Sequence, residues 1–169
     1  NTPLYDSANV SRLLRLQFFD VTLGPASWLD ALQAFAPTVM VSPPKILVWL
    51  AHHAPALAPD KVFSAAETLD PMDRSIIEGR FGAPLGQIYM ATEGLIGVSC
   101  RHGTLHLCDD TMFIELEPAK DGLVTPVITD FSRTTQIMAR YRMNDLLRLA
   151  SIPCRCGSPL RAVAEIVGR

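Results

Sequence analysis

KVFSAAETLDPMDRSIIEGRFGAPLGQIYMATEG, residues 61–94, carries the reading that decides the fold. Residues 62–65 are a short apolar run with a β-branched start, which predicts a strand. Asp70 followed by Pro71 pairs a capping side chain with a proline at the first helical position. Asp73 adds negative charge to the first turn, where the helix dipole favours it. The helix runs to about Phe81 and stops at Gly82. Residues 87–91 are the next strand. Two short strands joined by a helix of about ten residues predict a parallel pair with a right-handed crossover. The second strand ends in Tyr89-Met90-Ala91-Thr92-Glu93-Gly94, at the carboxyl edge where open α/β sheets bind ligands.

The same alternation extends upstream. Residues 7–14 read as a helix and residues 16–21 (LQFFDV) as a buried strand. Trp28, Leu29, Leu32 and Phe35 recur at helical spacing over residues 27–35. Residues 38–41 (TVMV) predict another strand. Ser42 then reads as a cap and Pro43 as the first residue of a helix reaching about His53. His52 and His53 suit the carboxyl end of that helix, and Trp28 and Trp49 suit the core. No GxxxxGK[ST] or GxGxxG loop interrupts this part.

Beyond Gly94 the pattern changes. Residues 96–100, 104–108, 112–117, 123–130, 137–142 and 146–149 read as strands, separated by turns such as Asp109-Asp110 and Asp121-Gly122. The expected fold class is α/β: a parallel sheet with crossover helices over residues 1–94, then a β-rich, barrel-like subdomain over residues 95–169.

Composition narrows the function. Of 169 residues, 49% are hydrophobic and 19% charged, enough to bury a sizeable core. With 15 Lys and Arg against 17 Asp and Glu, the net charge is −2, which argues against nucleic acid as a partner. The longest wholly apolar run, residues 46–51, falls far short of the ~20 residues of a membrane span. No charged-then-apolar leader opens the sequence, so the expected location is cytoplasmic, with Cys100, Cys108, Cys154 and Cys156 reduced. The first residue is Asn1 and the final one Arg169; the expectation is a fragment of a longer protein.

Three groups of residues can carry chemistry. Thr92 beside Glu93 suits a phosphate and its magnesium: the hydroxyl donates to oxygen, and the carboxylate takes a hard cation. Thr129-Asp130 and the run Arg140 to Asp145 suit phosphate and sugar hydroxyls. Taken alone, each of these two is also how a polar strand end or a solvated strand looks. Cys100, His106, Cys154 and Cys156 can form a tetrahedral Cys3His zinc site, closed to substrate and therefore structural, with His102 and Cys108 as rival ligands. The alternative there is buried thiols beside a core histidine. Ser64 and Ser99 lack a nucleophile elbow. Cys-x-Cys lacks the Cys-x-x-Cys of a thiol redox helix.

Six motifs in order then carry a family resemblance: FSAAETLDPMDRSIIEGRFG, YMATEG, CRHGTLHL, ITDFSRTTQIMARYRMND, PCRCGSP and IVGR. Together, over about residues 37–169, the chain resembles the adenylate-forming superfamily, in particular the phenylacetate–coenzyme A ligase branch and the related deazaflavin-coenzyme synthetases. The resemblance implies acyl-adenylate formation from a carboxylate and ATP with magnesium, followed in many members by transfer to coenzyme A. It implies that Tyr89 lies near adenine, that Thr92 contacts the α-phosphate and that Glu93 binds magnesium. Ala66 and Glu67 would line the adenine site. Asp145 would hold the ribose hydroxyls, and Arg169 would reach ribose or phosphate from a hinge. Met90 and Asn144 stand where the family commonly has Gly. The branch's zinc spacing is matched by Cys100, His106, Cys154 and Cys156.

The resemblance also implies that the chain corresponds to the second half of a large domain, without the family's phosphate loop and its lysine-bearing C-terminal domain. Such a fragment is expected to be inactive alone and to self-associate through the apolar face it exposes. The expected substrate is a small aromatic or otherwise apolar carboxylic acid, with residues 42–50 and 64–67 around Trp49 as pocket walls. The reading from another class is a non-catalytic, zinc-stabilised module that binds a nucleotide or a protein.

Overall fold

The computed structural model describes residue 9 and residues 13–168. Most of the helix expected over residues 7–14, and Arg169, lie outside the described residues.

The α/β part begins with α1 (Leu29–Phe35), preceded by two 3-10 turns, Val21–Leu23 and Pro25–Ser27. Then come β1 (Val39–Ser42), α2 (Pro44–His53), β2 (Lys61–Ala65), α3 (Pro71–Phe81) and β3 (Gly86–Ala91). The three strands are parallel neighbours in the order β1-β2-β3. The Asp70 carboxylate accepts the Met72 N–H at 2.8 Å, a cap whose loss costs about 1 kcal/mol. Gly82 closes α3 at φ 69°, a left-handed conformation that glycine adopts without strain.

Two expectations here are corrected. Residues 14–20 form no strand. Phe19 packs instead against Trp28 (5.5 Å between ring centroids) and Phe35 (6.5 Å). Ser42 closes β1 rather than capping α2. Pro43 takes the cap position and Pro44 the first helical turn, with no side-chain cap bond.

From β4 onward each strand pairs antiparallel with its neighbours. These are β4 (Gly94–Ser99), β5 (Leu105–Leu107), β6 (Phe113–Pro118), β7 (Val124–Asp130), β8 (Met138–Arg142), β9 (Leu146–Leu149) and β10 (Ala162–Gly168). The sheet runs β1-β2-β3-β4-β5-β10-β9-β7-β6, with β8 also on β7. Its outer strands are β1 and β6, so the β-rich part is an open sheet continuous with the parallel strands and not a closed barrel. β10 was not among the expected strands, yet it joins β5 to β9.

Two apolar clusters hold these layers. One packs Leu32, Met40, Leu47, Leu50, Val62, Ile77 and Leu85 between the parallel strands and their helices. The other gathers Tyr89, Ile96, Leu107, Ile114, Ile128 and Leu147 on the antiparallel strands.

Candidate functional site

β3 and β4 are joined by a turn of two residues, Thr92 and Glu93, between the paired ends Ala91 and Gly94. Ile96 is an extra residue in β4, because the register shifts between Tyr89–Gly97 and Met90–Leu95. Such a bulge re-aims the strand end, and bulges gather beside functional sites. Gly94 has φ 140°, a conformation that only glycine adopts readily. Among the described residues no hydrogen bond or ion pair engages the Thr92 hydroxyl or the Glu93 carboxylate. Both remain available to a phosphate or a hard cation.

Behind this turn, the Tyr89 hydroxyl donates to Asp145 Oδ2 at 2.7 Å. Both residues are buried, at 7% and 8% exposure. Asp145 sits just before β9, so the bond ties the end of the parallel sheet to the antiparallel strands. Ala66 and Glu67 form an exposed bend directly after β2. Ala66 takes φ 71°, a left-handed conformation that is costly for a residue with a Cβ and that collects at ligand-binding turns. Thus Tyr89, Asp145, Thr92, Glu93, Ala66 and Glu67 all lie on strand ends, turns or their immediate continuations.

The second centre is built from sulfur and imidazole. One ligand atom from each of Cys100, His106, Cys154 and Cys156 lies within 4.8 Å of the others. Cys100 Sγ is 3.8 Å from Cys154 Sγ, and Cys156 Sγ is 3.4 Å from His106 Nε2. A tetrahedral ion with bonds of about 2.3 Å to sulfur and about 2.0–2.1 Å to nitrogen separates two sulfurs by about 3.8 Å, and a sulfur from the nitrogen by about 3.5 Å. The Cys100–Cys154 and Cys156–His106 spacings fit that geometry.

The surrounding shell suits thiolates. The His102 N–H points to Cys100 Sγ and the Ser158 N–H to Cys156 Sγ, each at 3.4 Å. The Thr104 hydroxyl and the Cys156 backbone N–H lower the Cys154 thiol to about 6. His106 Nδ1 meets the Leu160 carbonyl at 2.9 Å, which fixes the ring with Nε2 toward the sulfurs. The rival ligands stand apart. His102 Nε2 meets Arg101 Nε at 3.3 Å. Cys108 lies just beyond β5, where burial and then Asp110 and Asp109 push its thiol up.

Residues that the motifs did not single out also act here. Arg133 donates through Nη2 to the Thr92 carbonyl at 3.1 Å and through Nε to Asp130 at 3.2 Å. Arg161 grips Asp109 and the Ile114 carbonyl just before β10. No residue pattern announces either contact, since both join segments far apart in sequence. A cavity of about 610 Å³ lies elsewhere, between residues 14–19, α1 and β1. Ser42, Pro43 and Leu50 line it, but none of the residues assigned to nucleotide or metal does. Trp49 stacks on His53 at 4.2 Å between ring centroids.

Comparison with known proteins places the fold. Residues of this chain superpose on an open conformation of 2-hydroxyisobutyryl-CoA ligase in complex with 2-HIB-AMP and CoA, with TM-score 0.73 and 20% identity over 85% of this chain and 39% of that one. A malonyl-CoA ligase with methylmalonyl-CoA and AMP bound matches with TM-score 0.54 and 19% identity, over 89% of this chain and 36% of that one. A fatty acid AMP ligase from Legionella pneumophila matches with TM-score 0.54 and 13% identity, over 88% and 37%. The chain therefore has the fold of a segment of the adenylate-forming ligases. It spans about two fifths of the length of the 2-hydroxyisobutyryl-CoA ligase. No family model matches, and no curated protein matches. Among the described residues no helix is long and apolar enough to cross a membrane.

Proposed function

We propose that the chain is the nucleotide-binding segment of an ATP-dependent carboxylate-adenylating ligase of the acid–coenzyme A type. The observation that carries this reading is the buried Tyr89–Asp145 hydrogen bond, with Tyr89 on the strand that leads into the Thr92–Glu93 turn. It joins two of the motif residues, and Thr92 and Glu93 follow Tyr89 by three and four positions. On this reading Asp145 accepts from the ribose diol and Thr92 donates to the α-phosphate. Glu93 holds magnesium, and Ala66 and Glu67 border the base near Tyr89. Arg169 would complete the ribose or phosphate contacts.

In the reaction, a carboxylate oxygen of the acid attacks the α-phosphorus. The bond to the bridging oxygen breaks, and pyrophosphate leaves with the electron pair. Charge gathers on the α-phosphoryl oxygens, where positioned donors and a cation lower the barrier. Coenzyme A thiolate would then attack the acyl carbon and release AMP. By itself this segment supplies only part of that shell, so binding without turnover is expected of it. The 2-hydroxyisobutyryl-CoA ligase holds a small acyl group as its adenylate, and the malonyl-CoA ligase holds methylmalonyl-CoA with AMP, which supports a small carboxylic acid as substrate.

The sulfur–imidazole cluster supports a structural zinc in the same protein, held by Cys100, His106, Cys154 and Cys156. It would pin the β4–β5 hairpin to the loop ahead of β10. Four protein ligands leave no open position for chemistry.

The test has two parts. AMP and ATP with magnesium are titrated into this chain and followed by amide shifts, which should move at residues 89–94 and around Asp145. A protein that joins this chain to the remainder matched by those ligases is then assayed for acid-dependent ATP–pyrophosphate exchange. Absence of both would move the assignment to a zinc-stabilised binding module.

A further inference from the structure

We propose that Arg133 is a positioning residue that sets the Thr92–Glu93 turn against the ribose end of the site; the inference rests on the nucleotide-binding reading above. The turn projects from β3 and β4, and its two central residues have no ladder partner of their own. Arg133, in the β7–β8 connection, reaches it across the sheet and donates to the Thr92 carbonyl at 3.1 Å. The guanidinium is itself fixed. Its Nε donates to Asp130 Oδ2 at 3.2 Å, and the two side chains are 27% and 10% exposed.

Asp130 is locked in turn: Oδ1 accepts the Ser132 N–H at 2.8 Å and the Ser132 hydroxyl at 2.6 Å. Arg133 Nη2 also lies 3.5 Å from where a Cβ on Gly94 would stand, so it packs closely against the turn. Ser132, Asp130 and Arg133 therefore form a chain of donors and acceptors ending on the turn's backbone.

The same stretch of sequence continues through β8 to Asp145. One segment, residues 130–145, thus carries the group that holds the phosphate-side turn and the group assigned to the ribose. A nucleotide bound between them needs both at a fixed separation, and small displacements of such groups are costly. Arg133 sets that separation without touching the ligand. Its planar fork serves two acceptors at once, which a lysine ammonium on a flexible stem does less well.

The experiment compares the unsubstituted chain with Arg133→Ala and Arg133→Lys. Adenosine and ATP with magnesium are titrated into each, and amide hydrogen exchange is read at residues 92–94. In Arg133→Ala, adenosine affinity is expected to stay within about twofold, while ATP–magnesium affinity falls about tenfold, the loss expected when a charge-assisted hydrogen bond is removed. Exchange at residues 92–94 should quicken while the β7 amides keep their protection. Arg133→Lys should recover part of the affinity. Where Arg133→Ala does not fold, Asp130→Asn gives the same pattern in weaker form.

Equal loss of adenosine and ATP would make Arg133 a general structural residue and overturn the proposal. Unchanged ATP affinity with unchanged exchange would overturn it as well, and would leave the nucleotide reading intact. If the unsubstituted chain binds neither ligand, the nucleotide reading falls, and the role of Arg133 falls with it.

Discussion

Tyr89 and Asp145, 56 residues apart, meet through a 2.7 Å hydrogen bond in the interior. The hydroxyl is the donor, so the carboxylate has one acceptor site committed before any ligand arrives. Tyr89→Phe keeps the ring and removes the donor. Loss of a hydrogen bond to a charged group costs about 1.5–3 kcal/mol. The expected outcome is a lower denaturation midpoint and weaker adenosine binding, while Met90→Leu on the exposed face of the same strand changes neither. Calorimetric melting and titration of the variants read the two effects separately.

Glu93→Gln tests the metal side of the site. The substitution keeps shape and removes the charge that a hard cation requires. Adenosine binding should persist, and the gain in ATP affinity on adding magnesium should disappear. A magnesium dependence equal to that of the unsubstituted chain would remove Glu93 from the site.

Metal analysis of the chain expressed in zinc-containing medium should return one zinc per molecule. Cys156→Ser or His106→Ala should abolish that stoichiometry. Chelation should lower thermal stability, because the site staples a hairpin to a distant loop. Retention of zinc by Cys108→Ser would separate that thiol from the cluster.

Gly97 lies on β4 where β5 passes closely. A Cβ there would stand 2.8 Å from the His106 carbonyl oxygen, and backbone cannot swing aside as a side chain does. Gly97→Ala should cost about 1–3 kcal/mol. It should also weaken zinc retention, since it displaces a ligand-bearing residue. Gly79→Ala, on an open helix face, should not destabilise.

Asp130 supplies a pH prediction. The Ser132 hydroxyl and N–H hold its carboxyl below the usual 3.8, and Arg133 acts in the same direction. A depressed folded value means that the contribution is present above 3.8 and is lost as pH falls through the lower folded value. The Ser132 amide should therefore keep its protection on acidification from pH 6 to 4 and lose it only below the ordinary carboxylate range. Loss of protection between pH 6 and 5 would contradict the hydrogen-bond pattern.

Residues 61–94 were legible because each signal agreed with the next. A β-branched run, an Asp-Pro cap, a helical length and a Gly stop all describe one strand–helix–strand unit. The Cys-x-Cys-Gly turn was equally plain as half of a cluster: Cys154 and Cys156 meet Cys100 and His106. Residues 16–21 misled because an apolar run records burial but not pairing: Phe19 is satisfied by Trp28 and Phe35 without any ladder. Ser42 misled because cap chemistry was read without the strand whose last residue it is. β10 went unread because Glu165 interrupts its short apolar run and its partners lie at residues 105–106 and 146–149. Arg133 was invisible for a related reason: its acceptor is a carbonyl, which carries no sequence identity.

β10 also determines the order in which this molecule can be completed. Residues 162–168 supply the hydrogen-bonded ladder between β5 and β9. Until they dock, β1 to β5 and β6 to β9 can exist only as two separate ladders, and Tyr89 and Asp145 belong to different ones. Such a strand closes a long loop before any reward arrives, so it slows the search for the native state. A folding experiment should show the nucleotide-binding signal rising last, together with protection of the β10 amides. The site would then report the completion of the whole sheet, and a ribosome-bound chain stopped short of residue 162 would have strands but no binding.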